Sequence, residues 1–283
     1  MRRDFQGQLC AYCRRRQSEA EDHVVGRGFI PERLRGNLPK APACDDCNSR
    51  KAALERYAMA VFPFGAVDPV GAEMLRTRAK QRLAKDQRLL REIQEGKEDV
   101  LYVSPDGTQC KTLAIPFDWR GSFELFEMLI LGLLWHLNRS PLPDTHAVRL
   151  LALTESGREW FRGSVLALSP DKYQEMRLGG GAFSYRFTHN AEDAFFSAWI
   201  LDVYGSLNIC ASTEDGRLFR VFVAALTGPD AIGGIADRIE ELGSRTGNVV
   251  TLPRTAAGKT DGNGGAGDDD KYSRDDHERS EVC

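Results

Sequence analysis

The sequence lacks a long uninterrupted apolar run. The longest, residues 126–137, contains Glu127 and is shorter than the roughly 18 residues that a membrane-spanning helix needs. The N-terminal residues are charged and polar, so they lack the apolar core of a secretory signal peptide. We therefore expect a soluble protein of the cytoplasm and exclude a membrane protein and a secreted disulfide scaffold.

Histidine is also scarce, and His23 is the only one in the first 135 residues. His136, His146 and His189 lie far apart without a carboxylate at matching spacing, and we interpret them as structural or surface residues. The sequence has no internal repeats. The glycines at 179–181 lack the lysine and the strand–helix context of a P-loop, which argues against a nucleotide-phosphate cradle there.

The net charge of −3 hides a strong asymmetry. Residues 1–95 carry 19 Lys or Arg and 13 Asp or Glu, whereas the other 188 residues carry 19 and 28. A basic front of this kind can attract a polyanion such as nucleic acid. The alternative is a solvated basic helix followed by an acidic tail, and charge alone does not separate the two.

Four of the seven cysteines form two pairs, Cys10-x-x-Cys13 and Cys44-x-x-Cys47, with 30 residues between them. Two residues between cysteines allow both thiolates to reach one metal ion, and two such turns complete a tetrahedral zinc site. A redox pair is the alternative, but it is usually single and adjoins a βαβ pattern, which is absent here. The spacing therefore predicts a structural zinc site.

Several polar residues accompany these pairs. Asp22-His23 and Asn37-Leu38 lie between them, Asn48 directly follows Cys47, and Lys51 lies three residues further on in a predicted helix over 49–61. With this pattern, residues 9–56 resemble an HNH nuclease domain of the zinc-ribbon-stabilised type, in a His-Asn-Asn variant. The resemblance covers about one sixth of the chain and implies a ββα-metal fold for this part.

The resemblance also implies a role for each residue. His23 would be the general base, Asp22 and Asn48 would ligate a catalytic divalent ion, and Asn37 would hold the loop and orient the His23 ring. The four cysteines would hold zinc and take no part in the chemistry. Carboxylate and amide oxygens favour Mg²⁺ or Mn²⁺ as the catalytic ion. An imidazole with a pKa near 6.5 can accept a proton at neutral pH.

Each of these residues has a second interpretation. Asn48 can be a helix N-cap, and Asn37 can serve only its turn. Lys51 and the run Arg14, Arg15 and Arg16 can contact phosphates or simply be solvated. Adjacent strand residues point to opposite sides, so Asp22 and His23 can share a site only if their strand is bent or twisted.

We predict an α+β protein in four parts. These are an HNH nuclease domain (1–62), a basic helical connector (63–98) with one amphipathic helix over 70–95, an α+β domain of unknown role with an antiparallel sheet (99–253), and a disordered acidic tail (254–283). In the α+β domain we predict a hairpin of 100–103 and 112–115, helices over 122–136 and 232–242, and strands over 150–153, 164–168, 183–187, 195–203, 207–212, 218–225 and 249–252. Residues 195–203 have a helical alternative.

The leading hypothesis is a metal-dependent endonuclease that cuts DNA, and the sequence does not exclude RNA as the substrate. The C-terminal domain would serve target choice, oligomerisation or regulation. The alternative is a catalytically silent zinc-ribbon module that binds nucleic acid or protein. The presence of Asp22, His23 and Asn48 together favours the enzyme, because a binding module has no need of them.

Overall fold

The computed structural model has α+β architecture, with two antiparallel sheets and seven α-helices among its described residues. These residues are 5–103, 109–168, 172–205, 207–212, 218–229, 232–246, 249–250 and 281–282. The predicted α+β class is confirmed. Of the tail that we predict to be disordered, all but residues 281–282 lie outside the described residues, as does the predicted turn at 105–107.

The N-terminal part is a hairpin followed by a helix. Strand β1 (Ala20–His23) pairs antiparallel with β2 (Lys40–Ala43), so that His23 lies opposite Lys40, and helix α1 (Asp45–Val61) follows directly. This order agrees with the ββα arrangement that the resemblance implies. The helix begins four residues earlier than predicted because Cys44 is its N-cap. Asn48 therefore lies inside the helix, and its alternative role as an N-cap is wrong.

The connector is a series of short helices: α2 (Pro69–Met74), a π-helical turn (Leu75–Ala79), α3 (Lys80–Lys85) and α4 (Gln87–Gly96). The prediction of one continuous helix over 70–95 is wrong, because the chain breaks at Asp86. The Asp86 side chain accepts a hydrogen bond from the backbone N–H of Leu89 and so caps α4. An aspartate that bonds nearby backbone N–H groups favours a new helix start over the continuation of the old helix.

Helix α5 (Trp119–Asn138) is the central buried helix. Its N-cap is Asp118, whose carboxylate accepts from the backbone N–H of Gly121, so the helix begins before Ser122, the predicted cap. It packs against α1, β2 and strand β5 (His146–Leu153). The approach to the hairpin is close: a Cβ atom at Gly132 would lie 2.8 Å from a methyl group of Val24.

The C-terminal part is an antiparallel sheet flanked by helices. Strand β3 (Glu98–Val103) pairs with β4 (Gln109–Pro116), which confirms the predicted hairpin. The remaining strands are β6 (Gln174–Leu178), β7 (Phe183–His189), β8 (Ser197–Val203), β9 (Leu207–Ser212), β10 (Leu218–Pro229), β11 (Val249–Val250) and β12 (Glu281–Val282). Along the sheet, the order of neighbouring strands is β3-β4-β12-β9-β10-β8-β7-β6, and β5 pairs with β10 and β11.

Two helices accompany this sheet, α6 (Glu155–Ser164) and α7 (Ile232–Arg245). Helix α7 confirms the helix predicted over 232–242, and β8 shows that residues 197–203 form a strand and not a helix. The strand predicted over 164–168 is wrong. The chain there finishes α6 and makes a 3₁₀ turn (Leu166–Leu168), with Phe161 and Leu166 buried against the sheet.

One continuous apolar core joins the hairpin-and-helix part to the sheet. The core runs from Val24 and Ile30, past α5, to Trp199 on β8. The buried Tyr204 hydroxyl also donates a hydrogen bond to the carbonyl of Phe29, at 2.8 Å. Among the described residues, no single helix is long and apolar enough to cross a membrane. The segments Asp45–Gly65 and Pro69–Lys85 reach that length and composition only together, and the chain bends by 116° between them.

Candidate functional site

The four paired cysteines come together at the N-terminal end of α1. Their Sγ atoms all lie within 4.8 Å of one another, and those of Cys13 and Cys44 are 3.8 Å apart. Four Zn–S bonds of about 2.3 Å in a tetrahedron separate the sulfurs by about 3.8 Å, so the cluster has the dimensions of a zinc site. All four cysteines are free thiols. They can bind a metal ion, which agrees with the predicted structural zinc.

Local backbone structure explains why the thiols converge. Arg14 adopts a left-handed conformation, with φ of 59°, and its backbone N–H donates to the carbonyl of Cys10, which closes the turn between Cys10 and Cys13. Cys44 caps α1, and Cys47 lies in the first turn of the same helix. Partial burial raises the pKa of Cys13, but hydrogen bonds from the backbone of Arg15 and Arg16 outweigh this effect and lower it to about 7. The thiolate form of Cys13 is therefore accessible at neutral pH, whereas burial raises the pKa of Cys10 and of Cys47, whose thiols would lose their protons as a metal ion binds.

Asp22 faces α1 and is held there by a buried lysine. The Lys51 Nζ lies 3.0 Å from Oδ2 of Asp22 and 2.5 Å from Oε1 of Glu55, and it donates a hydrogen bond to the carbonyl of His23 at 2.9 Å. Tyr12 donates its hydroxyl to the same Asp22 oxygen. Only 1% of Lys51 is exposed. The prediction that Lys51 contacts phosphate is wrong for this arrangement, because its ammonium group is enclosed and fully engaged.

Glu55 extends this network beneath the hairpin. Burial raises the pKa of the Glu55 carboxyl, and the neighbouring Lys51 cation opposes that rise. The turn after β1 lies directly on this carboxylate: a Cβ atom at Gly26 would be 2.5 Å from Oε2 of Glu55. The network therefore attaches the hairpin to α1 through paired charges as well as through apolar packing.

His23 is half-buried at the end of β1, opposite Lys40. Burial lowers the pKa of its imidazole, and the cations of Lys40 and Arg27 lower it further. The ring is therefore neutral at pH 7, the form that a general base requires. Its Nδ1 atom is buried and has no hydrogen-bond partner among the described residues.

The two asparagines occupy different surroundings. Asn37 is exposed in the turn before β2, in a left-handed conformation with φ of 51° that asparagine tolerates better than most residues. It does not reach His23 Nδ1, so the predicted orienting contact is not formed at that atom. Asn48 is half-buried in α1, three residues before Lys51. Residues three apart share a helix face, so Asn48 belongs to the face of α1 that meets β1.

The arginines after Cys13 have three different environments. Arg14 donates to the carbonyls of Pro143 and His146, at 3.1 and 3.3 Å, which ties the cysteine turn to the segment before β5. One guanidinium nitrogen of Arg14 is therefore used within the fold, and the predicted phosphate contact of this half-buried side chain stays a prediction. Arg16 pairs with Asp46 at the surface. Arg15 is exposed, and its phosphate contact stays a prediction.

Two cations near His23 are absent from the predicted site. Lys40 lies directly across the hairpin from His23 and pairs with Glu21. Arg27 is exposed, in a 3₁₀ turn (Arg27–Phe29) that follows β1. The signal for Arg27 was its position four residues after His23, whereas the position of Lys40 depends on strand register.

No family model, curated protein or solved structure matches this chain.

Proposed function

We propose that this protein is a metal-dependent HNH endonuclease that hydrolyses phosphodiester bonds in DNA, with His23 as the general base. The proposal depends on one observation above all: the strand that carries Asp22 and His23 packs on the helix that carries Asn48, beside the four-cysteine cluster. Phosphodiester chemistry is shared by RNA, which is the second substrate to test.

The surroundings of Asp22 support its role as a metal ligand. Tyr12 and Lys51 both contact Oδ2, and Oδ1 is the oxygen that would bind Mg²⁺ or Mn²⁺. Carboxylates that ligate metals are commonly held by a further layer of hydrogen bonds of this kind. The amide oxygen of Asn48 would be the second protein ligand. The bound ion would supply charge stabilisation to the phosphate and to the leaving oxygen.

The lowered pKa of His23 supports its role as the base, because a neutral imidazole can take a proton from the attacking water at pH 7. Lys51 holds the backbone of His23 through its carbonyl and so fixes the position from which the ring acts. Zinc at the four cysteines would act indirectly, by fixing the start of α1 and hence the position of Asn48.

One observation favours the second candidate, a silent zinc module that binds nucleic acid or protein. Asp22 already has two partners, Lys51 and Tyr12, and such pairing also occurs around carboxylates with a purely structural role. The two candidates differ in whether His23 matters for a reaction.

The deciding experiment uses zinc-loaded protein, supercoiled plasmid and added Mg²⁺ or Mn²⁺. We expect the wild type to nick the plasmid and His23→Ala to lose at least about 100-fold in rate, in line with the usual contribution of a general base. His189→Ala, a histidine on β7, is the matched control and should retain activity. Equal products from wild type and His23→Ala, or none from either with Mg²⁺, Mn²⁺ and Ni²⁺, would favour the binding module.

A further inference from the structure

A cleft of about 410 Å³ lies beside the β1–β2 hairpin, at the end of α5. The hairpin contributes Glu21 and Lys40 to its wall, and the last turn of α5 contributes Trp135, His136 and Arg139. Its size lies within the range of about 300–1,000 Å³ that is usual for small-molecule sites. Aromatic surface and cationic groups therefore meet in one concave place next to the strand of His23.

Arg139 is the cation in this cleft that has no acidic partner among the described residues. It ends α5 in a left-handed conformation, with φ of 56°, and its guanidinium lies 5.5 Å from the centre of the Trp135 ring. A cation at a helix C-terminus is favourable in itself. That effect accounts for a positive charge at the end of α5 but does not require the charge to line a cleft.

The cleft is connected to His23 through Lys40. Lys40 lies opposite His23 in the register of the β1–β2 hairpin. The Nδ1 atom of His136 lies 3.3 Å from the backbone nitrogen of Lys40 and 3.1 Å from its carbonyl oxygen. The end of α5 is thus anchored to the first residue of β2. Lys40 itself is neutralised by Glu21, so Arg139 supplies the free charge on this side.

Arg27 supplies a corresponding charge from the turn after β1. It is exposed, has no acidic partner in the described part of the chain, and lies close enough to influence the imidazole of His23. Arg27 therefore lies near the imidazole of His23 without an acidic partner among the described residues, and Arg139 lies in the cleft whose wall includes Lys40, the residue opposite His23 in the hairpin. Neither is among the arginines that follow Cys13.

We propose that Arg27 and Arg139 bind the phosphates of one nucleic-acid strand, and that the cleft receives a nucleotide that flanks the bond at His23. This inference rests on the proposed nuclease function and extends it to the position of the substrate. Arginines bind backbone phosphates, and aromatic side chains stack on bases, so Arg139 beside Phe5 suits a nucleotide, with the buried Trp135 ring beneath both. Phe5 is half-buried and offers its exposed ring area to the base.

Binding is measured with zinc-loaded protein and a short fluorescein-labelled single-stranded DNA, without added Mg²⁺ or Mn²⁺, by fluorescence anisotropy at several salt concentrations. We expect Arg27→Gln and Arg139→Gln each to raise Kd at least about fivefold and to reduce the slope of log K against log salt by about 0.7, the value for one phosphate contact to a single strand. Arg78→Gln is the matched control. It removes the same charge from an exposed position on the connector and should leave binding unchanged.

The outcomes separate this inference from the nuclease proposal. Unchanged binding by Arg139→Gln and Arg27→Gln, equal weakening by Arg78→Gln, or no DNA binding by the wild type would each overturn the inference. Weakened binding by the two variants alone supports it, even if the plasmid is never nicked, in which case only the nuclease proposal fails. Melting temperatures equal to that of the wild type show that the variants are folded.

Discussion

The ammonium group of Lys51 lies 3.0 Å from a carboxylate oxygen of Asp22, inside the molecule and not at its surface. This pairing decides how the candidate site is built, because the same ammonium group also holds Glu55 and the carbonyl of His23. The Asp22-His23 strand is thus attached to α1 at one point by three interactions. Any change to Lys51 acts on the fold and on the proposed chemistry together.

Replacement of Lys51 by Met should lower the free energy of unfolding by about 3–5 kcal/mol. The substitution leaves the buried Glu55 and the half-buried Asp22 without their counterion, and an uncompensated buried charge has a cost of that order. Urea unfolding of the zinc-loaded protein measures the loss. Adding Glu55→Gln to Lys51→Met should recover part of the lost free energy of unfolding. A loss below about 1 kcal/mol in Lys51→Met alone would show that the ion pairs of Lys51 contribute little to stability.

Replacement of Cys44 by Ser should abolish zinc binding and unfold residues 9–56. Cys44 supplies one of the four thiol ligands at the N-cap position of α1, and the free energy of zinc binding that this ligand supports is part of the folding free energy of the segment. Metal content after desalting and thermal melting test this expectation. Cys283→Ser removes a thiol that belongs to neither Cys-x-x-Cys pair and should change neither. Unchanged zinc content in Cys44→Ser would contradict the four-cysteine site.

Stability should fall on acidification partly through His136. Burial lowers the pKa of His136, and the Arg139 cation acts in the same direction, whereas in the unfolded chain the pKa returns to about 6.5. Between these two values the unfolded state binds more protons, so this contribution to stability is lost as the pH falls through about 6.5 towards the folded value.

The comparison that isolates this effect is His136→Asn against wild type. Urea unfolding at pH 7.5 and pH 5.5 should show a smaller loss of stability for the variant, because the cysteines and all other groups titrate in both proteins. The same pH dependence in both would mean that protonation of His136 is not linked to folding.

Replacement of Gly132 by Ala should destabilise the protein by about 1–3 kcal/mol, the usual cost of overpacking. The added methyl group would lie 2.8 Å from Val24, the residue that follows His23, so α5 or β1 must move. Gly163→Ala in α6 is the control, since nothing lies within 4 Å of its added methyl group and alanine favours the helix. A Gly132→Ala variant as stable as the wild type would show that the helix and the hairpin adjust freely.

Local spacing was sufficient to predict the elements that local chemistry forms. Two Cys-x-x-Cys turns, a strand pair and a helix with thiols at its start are encoded within about 50 residues, and apolar runs separated by turn residues predict β8 and β10 in the same way. The break at Asp86 and the turn over Leu166–Leu168 were missed because each depends on one side chain or on packing against the sheet.

The sequence by itself determined the α+β class, the convergence of the four cysteines and the segment that carries Asp22 and His23. Only the tertiary structure decided which charges are free. Lys51 and Arg14 look like surface cations in the sequence, but Lys51 is enclosed beside two carboxylates, and Nη1 of the half-buried Arg14 donates to two carbonyls from a distant part of the chain. A long cationic side chain can reach water or a buried partner with equal ease, so its environment follows from the packing of elements far apart in sequence.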